Sequence, residues 1–107
     1  MEIKKIEGLI AAPFTPMKED GSINLSVIPQ YANKLKSDGL QGVFICGTTG
    51  EGMLMTNDER KWVVQKCMEE QTEDFKVIVH VGTTSSRECK ELAELAQNTG
   101  AFAIGTL

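Results

Sequence analysis

Three short apolar runs, centred on Ile10, Phe44 and Ile78, recur about every 34 residues, and a helix-like pattern follows each. That spacing accommodates one strand, one helix and two short loops, so successive strands are predicted to lie parallel in one sheet. The runs are Leu9-Ile10-Ala11-Ala12, Val43-Phe44-Ile45-Cys46 and Val77-Ile78-Val79-His80-Val81, with a fourth at Ala101-Phe102-Ala103-Ile104. They are apolar at successive positions rather than alternating, the pattern of strands buried on both faces. A parallel sheet must be covered by helices, which leaves two α/β architectures, a closed (β/α)8 TIM barrel or an open doubly wound sheet. A barrel takes eight units and about 250 residues. The 107 residues here would supply its first three β-α units and the fourth strand. On that reading, residues 1–107 are the N-terminal part of a single barrel domain.

The stretches between the runs carry helix signals. Ile28, Tyr31, Ala32 and Leu35 share one face, Pro29 suits an opening turn capped by Ser26, and Gly39 suits the stop. Thr56-Asn57-Asp58-Glu59 has the form of a capping box ahead of Trp62, Val63, Cys67 and Met68. Ser85-Ser86-Arg87-Glu88 repeats the form ahead of Leu92, Ala93, Leu95 and Ala96, with Gly100 as the expected stop.

Composition narrows the function classes. A formal net charge of -4 with lysines scattered among acids offers no basic stripe for a phosphate backbone, so nucleic acid is not an expected partner. No apolar run approaches the roughly 20 residues of a membrane span, and the Met1–Glu7 stretch lacks the apolar core of a signal peptide. Cys46, Cys67 and Cys89 are odd in number and scattered, without C-x-x-C spacing, so neither a metal site nor a disulfide framework is expected. The expected compartment is the cytoplasm.

The residues suited to chemistry are Gly47-Thr48-Thr49-Gly50-Glu51-Gly52, directly after the second strand. This is the C-terminal edge of the sheet, where such folds bind ligands. Glycines let backbone N–H groups approach a ligand, and two adjacent hydroxyls add donors for a carboxylate or phosphate oxygen. The segment lacks the Gly-Lys-Ser/Thr ending of a P-loop and the G-x-G-x-x-G of a dinucleotide site, so no nucleotide cofactor is expected. Glu51 is expected to support the turn through hydrogen bonds to nearby N–H groups, with a general-base role as the alternative. His80, the one histidine, and Tyr31, the one tyrosine, read as structural.

Gly42 through Glu59 resembles the signature of the pyruvate-dependent aldolase family that contains N-acetylneuraminate lyase and dihydrodipicolinate synthase. Gly8 through Pro16, ending in Thr15-Pro16, resembles that family's first strand and loop. His80-Val81-Gly82 and the Thr/Ser-rich loop after it are more similar to the sialic acid lyases than to the synthases. The resemblance covers Gly8 to Gly105 and implies a barrel that cleaves a sialic acid to pyruvate through a lysine Schiff base, without metal or cofactor. It implies that Thr48 and Thr49 hold the pyruvate carboxylate, with Gly47, Gly50 and Glu51 in support, and that the complete protein is a homotetramer. The family's Schiff-base lysine lies on the sixth strand and its proton-relaying tyrosine on the fifth. Both positions fall beyond Leu107, so no catalytic residue is expected in this chain and no turnover from it alone. Thr106-Leu107 departs from the family, which usually continues with a proline and aromatic residues, so a truncation, an incomplete gene model or an alternative terminus is expected there. A synthase-type pyruvate aldolase and a non-catalytic short product are the alternatives.

Overall fold

The computed structural model describes residues 2–106. Four strands, β1 (Ile10–Ala11), β2 (Gly42–Ile45), β3 (Lys76–His80) and β4 (Ala103–Gly105), form one parallel sheet in the order β1-β2-β3-β4. Helices α1 (Ile28–Ser37), α2 (Asn57–Met68) and α3 (Ser86–Thr99) alternate with them. The register sets Phe44 opposite Ile78 and Val79 opposite Ile104.

The alternation of side chains along the strands distinguishes a barrel from a doubly wound sheet. Val43, Ile45, Val77 and Val79 point to one face and join one buried cluster with Ala32 of α1, Val63 and Val64 of α2, and Leu92 and Ala96 of α3. All three helices therefore cover the same face, as around a barrel wall, instead of being shared between two faces. Phe44 and Ile78 occupy the other face and are half-buried.

The helix ends are local chemistry. Thr56 caps α2 with the complete capping box: its hydroxyl accepts from the Glu59 N–H at 3.1 Å, and the Glu59 carboxylate accepts from the Thr56 N–H at 2.9 Å. Ser85 caps α3 by accepting from the Glu88 N–H, but the reciprocal bond is not formed among the described residues, so only half of that box is present. α1 and α3 stop at Gly39 and Gly100, both at φ +86°, a conformation that an L side chain resists.

Three expectations are corrected. Ser26 does not cap α1: a 3-10 turn over Leu25–Val27 precedes the helix, and the Ser26 hydroxyl donates to Asn24 Oδ1 at 2.8 Å. Cys46 is not part of β2, which ends at Ile45 because Cys46 takes φ +60°. Trp62 lies off the packing face of α2 and is half exposed; the buried stripe is Arg60, Val63 and Val64, with Cys67 partly buried beside them. No helix among the described residues is long and apolar enough to cross a membrane.

Candidate functional site: a turn at the C-terminal edge of the sheet

The segment after β2 reverses sharply. Cys46 and Glu51, both non-glycine, take φ +60° on either side of the turn, and the N–H groups of Glu51 and Gly52 donate to the carbonyls of Thr48 and Gly47 at 3.0 Å each. A left-handed non-glycine residue costs on the order of 1–3 kcal/mol, so such a turn persists only where its surroundings hold it.

Three features hold it. Thr15, buried in the loop after β1, donates its hydroxyl to the Gly50 carbonyl at 2.6 Å. His80, at the end of β3, donates from Nδ1 to the Cys46 carbonyl at 3.0 Å. Gly52 packs so closely on the Cys46 carbonyl that a Cβ there would collide with it. With its base fixed, the turn presents Thr48 and Thr49 exposed at the C-terminal edge of the sheet. Among the described residues, the N–H groups of Thr48, Thr49 and Gly50 and the two threonine hydroxyls have no hydrogen-bond partner. Adjacent unpaired donors on a rigid turn are the arrangement that receives an anionic oxygen.

Behind the turn lies a buried cation that sequence reasoning missed. Arg60 is 2% exposed, and its guanidinium donates from Nη1 to the Gly82 carbonyl at 2.8 Å and from Nη2 to the His80 carbonyl at 2.6 Å. A carbonyl can only accept, so His80 Nδ1 carries its hydrogen toward Cys46, and the 3.3 Å approach of Arg60 Nη2 to that nitrogen brings two donors together without a bond. His80 Nε2 and Arg60 Nε are buried without partners among the described residues. The Phe44 ring meets the His80 ring edge-on at 5.8 Å and lies directly beneath Gly47, where a Cβ would strike it.

The structure thus brings Gly47, Thr48, Thr49, Gly50 and Glu51 together on one turn, as their adjacency dictates, and adds Thr15, Arg60 and His80 as its supports. Glu51 supports the turn through its left-handed backbone; its exposed side chain makes no hydrogen bond among the described residues, contrary to the expectation of carboxylate bonds to N–H groups. His80 is buried and hydrogen-bonded to the Cys46 carbonyl. Tyr31 is half-buried against Phe14, with ring centroids 4.8 Å apart. Lys34, Lys36, Lys61, Lys66 and Lys90 lie on helices, and Lys76 opens β3 at the opposite end of the sheet, its ammonium over the Phe102 ring. Burial pushes the Cys46 thiol up to about 11, against a smaller lowering by Arg60. Cys67 is pushed up to about 12, chiefly by burial and then by Cys46. Both thiols wall an apolar cavity of about 40 Å3 between the sheet and helices α1 and α2.

Residues 5–107 match the model of the dihydrodipicolinate synthetase family. The N-acetylneuraminate lyase of Pongo abelii is 43% identical over 106 residues, which cover 97% of this chain and 33% of that protein. Among solved structures, the N-acetylneuraminate lyase of Proteus mirabilis superposes with a TM-score of 0.92 at 37% identity, over 96% of this chain and 35% of that one. The lyase from Aliivibrio salmonicida gives 0.92 at 35% identity, over 97% and 35%. The chain belongs to the dihydrodipicolinate synthetase family, whose members are class I pyruvate-dependent aldolases. It spans about a third of the length of the relatives it matches.

Proposed function

We propose that this chain is the N-terminal portion of an N-acetylneuraminate lyase, and that Thr48 and Thr49 hold the carboxylate of pyruvate, the retained half of the substrate. The observation that carries this reading is the pair of exposed threonines with free donors, on a turn braced from β1 and β3, in a chain 43% identical to a lyase across nearly its whole length. Retro-aldol cleavage of N-acetylneuraminate to pyruvate and N-acetylmannosamine needs an electron sink at the ketone carbon, supplied in this family by a lysine Schiff base. The neighbouring carboxylate must stay fixed while that carbon reacts, and hydroxyl and N–H donors do this without a metal. Gly47 and Gly50 let the backbone approach, and Glu51 sets the reversal.

The Schiff-base lysine and the proton-relaying tyrosine belong to later strands of the barrel. Residues 1–107 by themselves therefore grip pyruvate without cleaving the sugar acid. The complete protein is a homotetramer in this reading, and the exposed Met53 and Leu54 beside the turn are consistent with a surface covered by another subunit.

Sequencing the transcript past the Leu107 codon tests the assignment. An in-frame continuation with a tyrosine on a fifth strand and a lysine on a sixth is the expected result. A stop codon there would contradict a working lyase and leave a non-catalytic chain.

A further inference from the structure

We infer that Arg60 and His80 are positioning residues for the turn, acting together as a brace that keeps Thr48 and Thr49 in their ligand-receiving geometry. The turn's strain begins at Cys46, whose left-handed backbone has no glycine to relieve it. The carbonyl of that residue is fixed by His80 Nδ1, and the backbone carbonyl of His80 is fixed by Arg60 Nη2. The second arm of the guanidinium takes the Gly82 carbonyl, so one side chain from α2 ties down both sides of the His80–Gly82 segment at the mouth of β3.

A simpler residue would not suffice. Arg60 and His80 are 2% and 3% exposed, and the cost of burying the guanidinium is offset in part by the carbonyls that Nη1 and Nη2 meet, Nε having no partner among the described residues. The planar fork reaches two carbonyls in a fixed geometry that a lysine ammonium does not reproduce. Neither residue reaches the exposed hydroxyls of Thr48 and Thr49, so each acts through the backbone. The inference rests on the reading of this turn as a carboxylate clamp.

Amide hydrogen exchange and pyruvate titration on the isotopically labelled 107-residue chain test it. In His80→Leu and Arg60→Met, exchange at Glu51 and Gly52, whose N–H groups close the turn, should quicken about tenfold or more relative to Val79 and Leu92 in the core. His80→Asn offers a side-chain N–H in place of Nδ1 and should keep turn protection within about threefold of the unsubstituted chain. Arg60→Lys keeps the charge without the fork and should loosen the turn. If Arg60→Met does not fold, the Leu and Asn substitutions at His80 decide. A uniform loss across turn and core, no loss at all, or an unprotected turn in the unsubstituted chain would each overturn the brace.

Pyruvate separates this inference from the clamp reading. Pyruvate-induced shifts at Thr48 and Thr49 that persist undiminished in His80→Leu would remove the positioning role and leave the clamp. Selective loosening of the turn in a chain that never responds to pyruvate would remove the clamp and leave a conformational brace.

Discussion

The hydroxyl of Thr15 donates to the carbonyl of Gly50 across 35 positions of sequence, at 2.6 Å and out of contact with water. This bond joins the loop after the first strand to the centre of the turn after the second. Its loss would leave a buried carbonyl unpaired, which costs about 1–3 kcal/mol. Thr15→Val should lower the free energy of unfolding by that amount in a denaturant titration, and Thr15→Ser should recover most of it.

Gly52 and Gly39 provide a contrast between crowding and strain. At Gly52 an added Cβ meets the Cys46 carbonyl, whereas at Gly39 nothing lies within 4 Å and only the φ of +86° resists. Gly39→Ala is expected to cost about 1 kcal/mol. Gly52→Ala should cost about 3 kcal/mol and displace the turn. Equal losses measured by denaturant unfolding would argue against the close approach.

The thiols give a pH dependence of defined sign. Cys46 and Cys67 ionise at about 11 and about 12 in the folded chain, against 9.0 ordinarily. Below pH 9 both states hold these protons and no stability is lost. Above it the unfolded chain releases them first, so stability falls as pH rises from 9 toward 11–12, by up to about 1.4 kcal/mol per pH unit for each thiol. Unfolding followed by circular dichroism should show a shallower fall above pH 9 in Cys67→Ala than in the unsubstituted chain. Equal slopes would contradict the burial of that thiol.

Features with local causes were legible in the sequence. The capping box at Thr56, the cap at Ser85 and the stop at Gly100 each depend on residues a few positions apart, and the first three strands follow from evenly spaced apolar runs. Ser26 was misread because a 3-10 turn begins one residue before it and draws its hydroxyl to Asn24. Arg60 was missed altogether. It sits between Glu59 and Lys61 and looks like one more solvated charge, while the groups that justify its burial lie 20 and 22 positions away. Its place at i, with Val63, Val64 and Cys67 at i+3, i+4 and i+7, was the one signal available, since it puts the charge on the packing face.

Schiff-base chemistry should be absent from these residues. Incubation with pyruvate and borohydride, followed by peptide mass mapping, is expected to leave Lys34, Lys36, Lys61, Lys66, Lys76 and Lys90 unmodified, because each lies on α1, α2, α3 or β3 and none on the C-terminal turn. A stoichiometric reduced adduct on one lysine would place an electron sink within residues 1–107.

The claim that Thr48 and Thr49 receive a carboxylate is tested most directly by titrating the labelled chain with pyruvate and, in parallel, with its uncharged amide, while following the amide signals of Thr48, Thr49 and Gly50. Saturable shifts with pyruvate, weaker ones with the amide, and at least about a tenfold loss of affinity in the Thr48→Val, Thr49→Val double variant are the expected result. Shifts that are equal for the two ligands, unchanged in the double variant, or absent from the turn would contradict it.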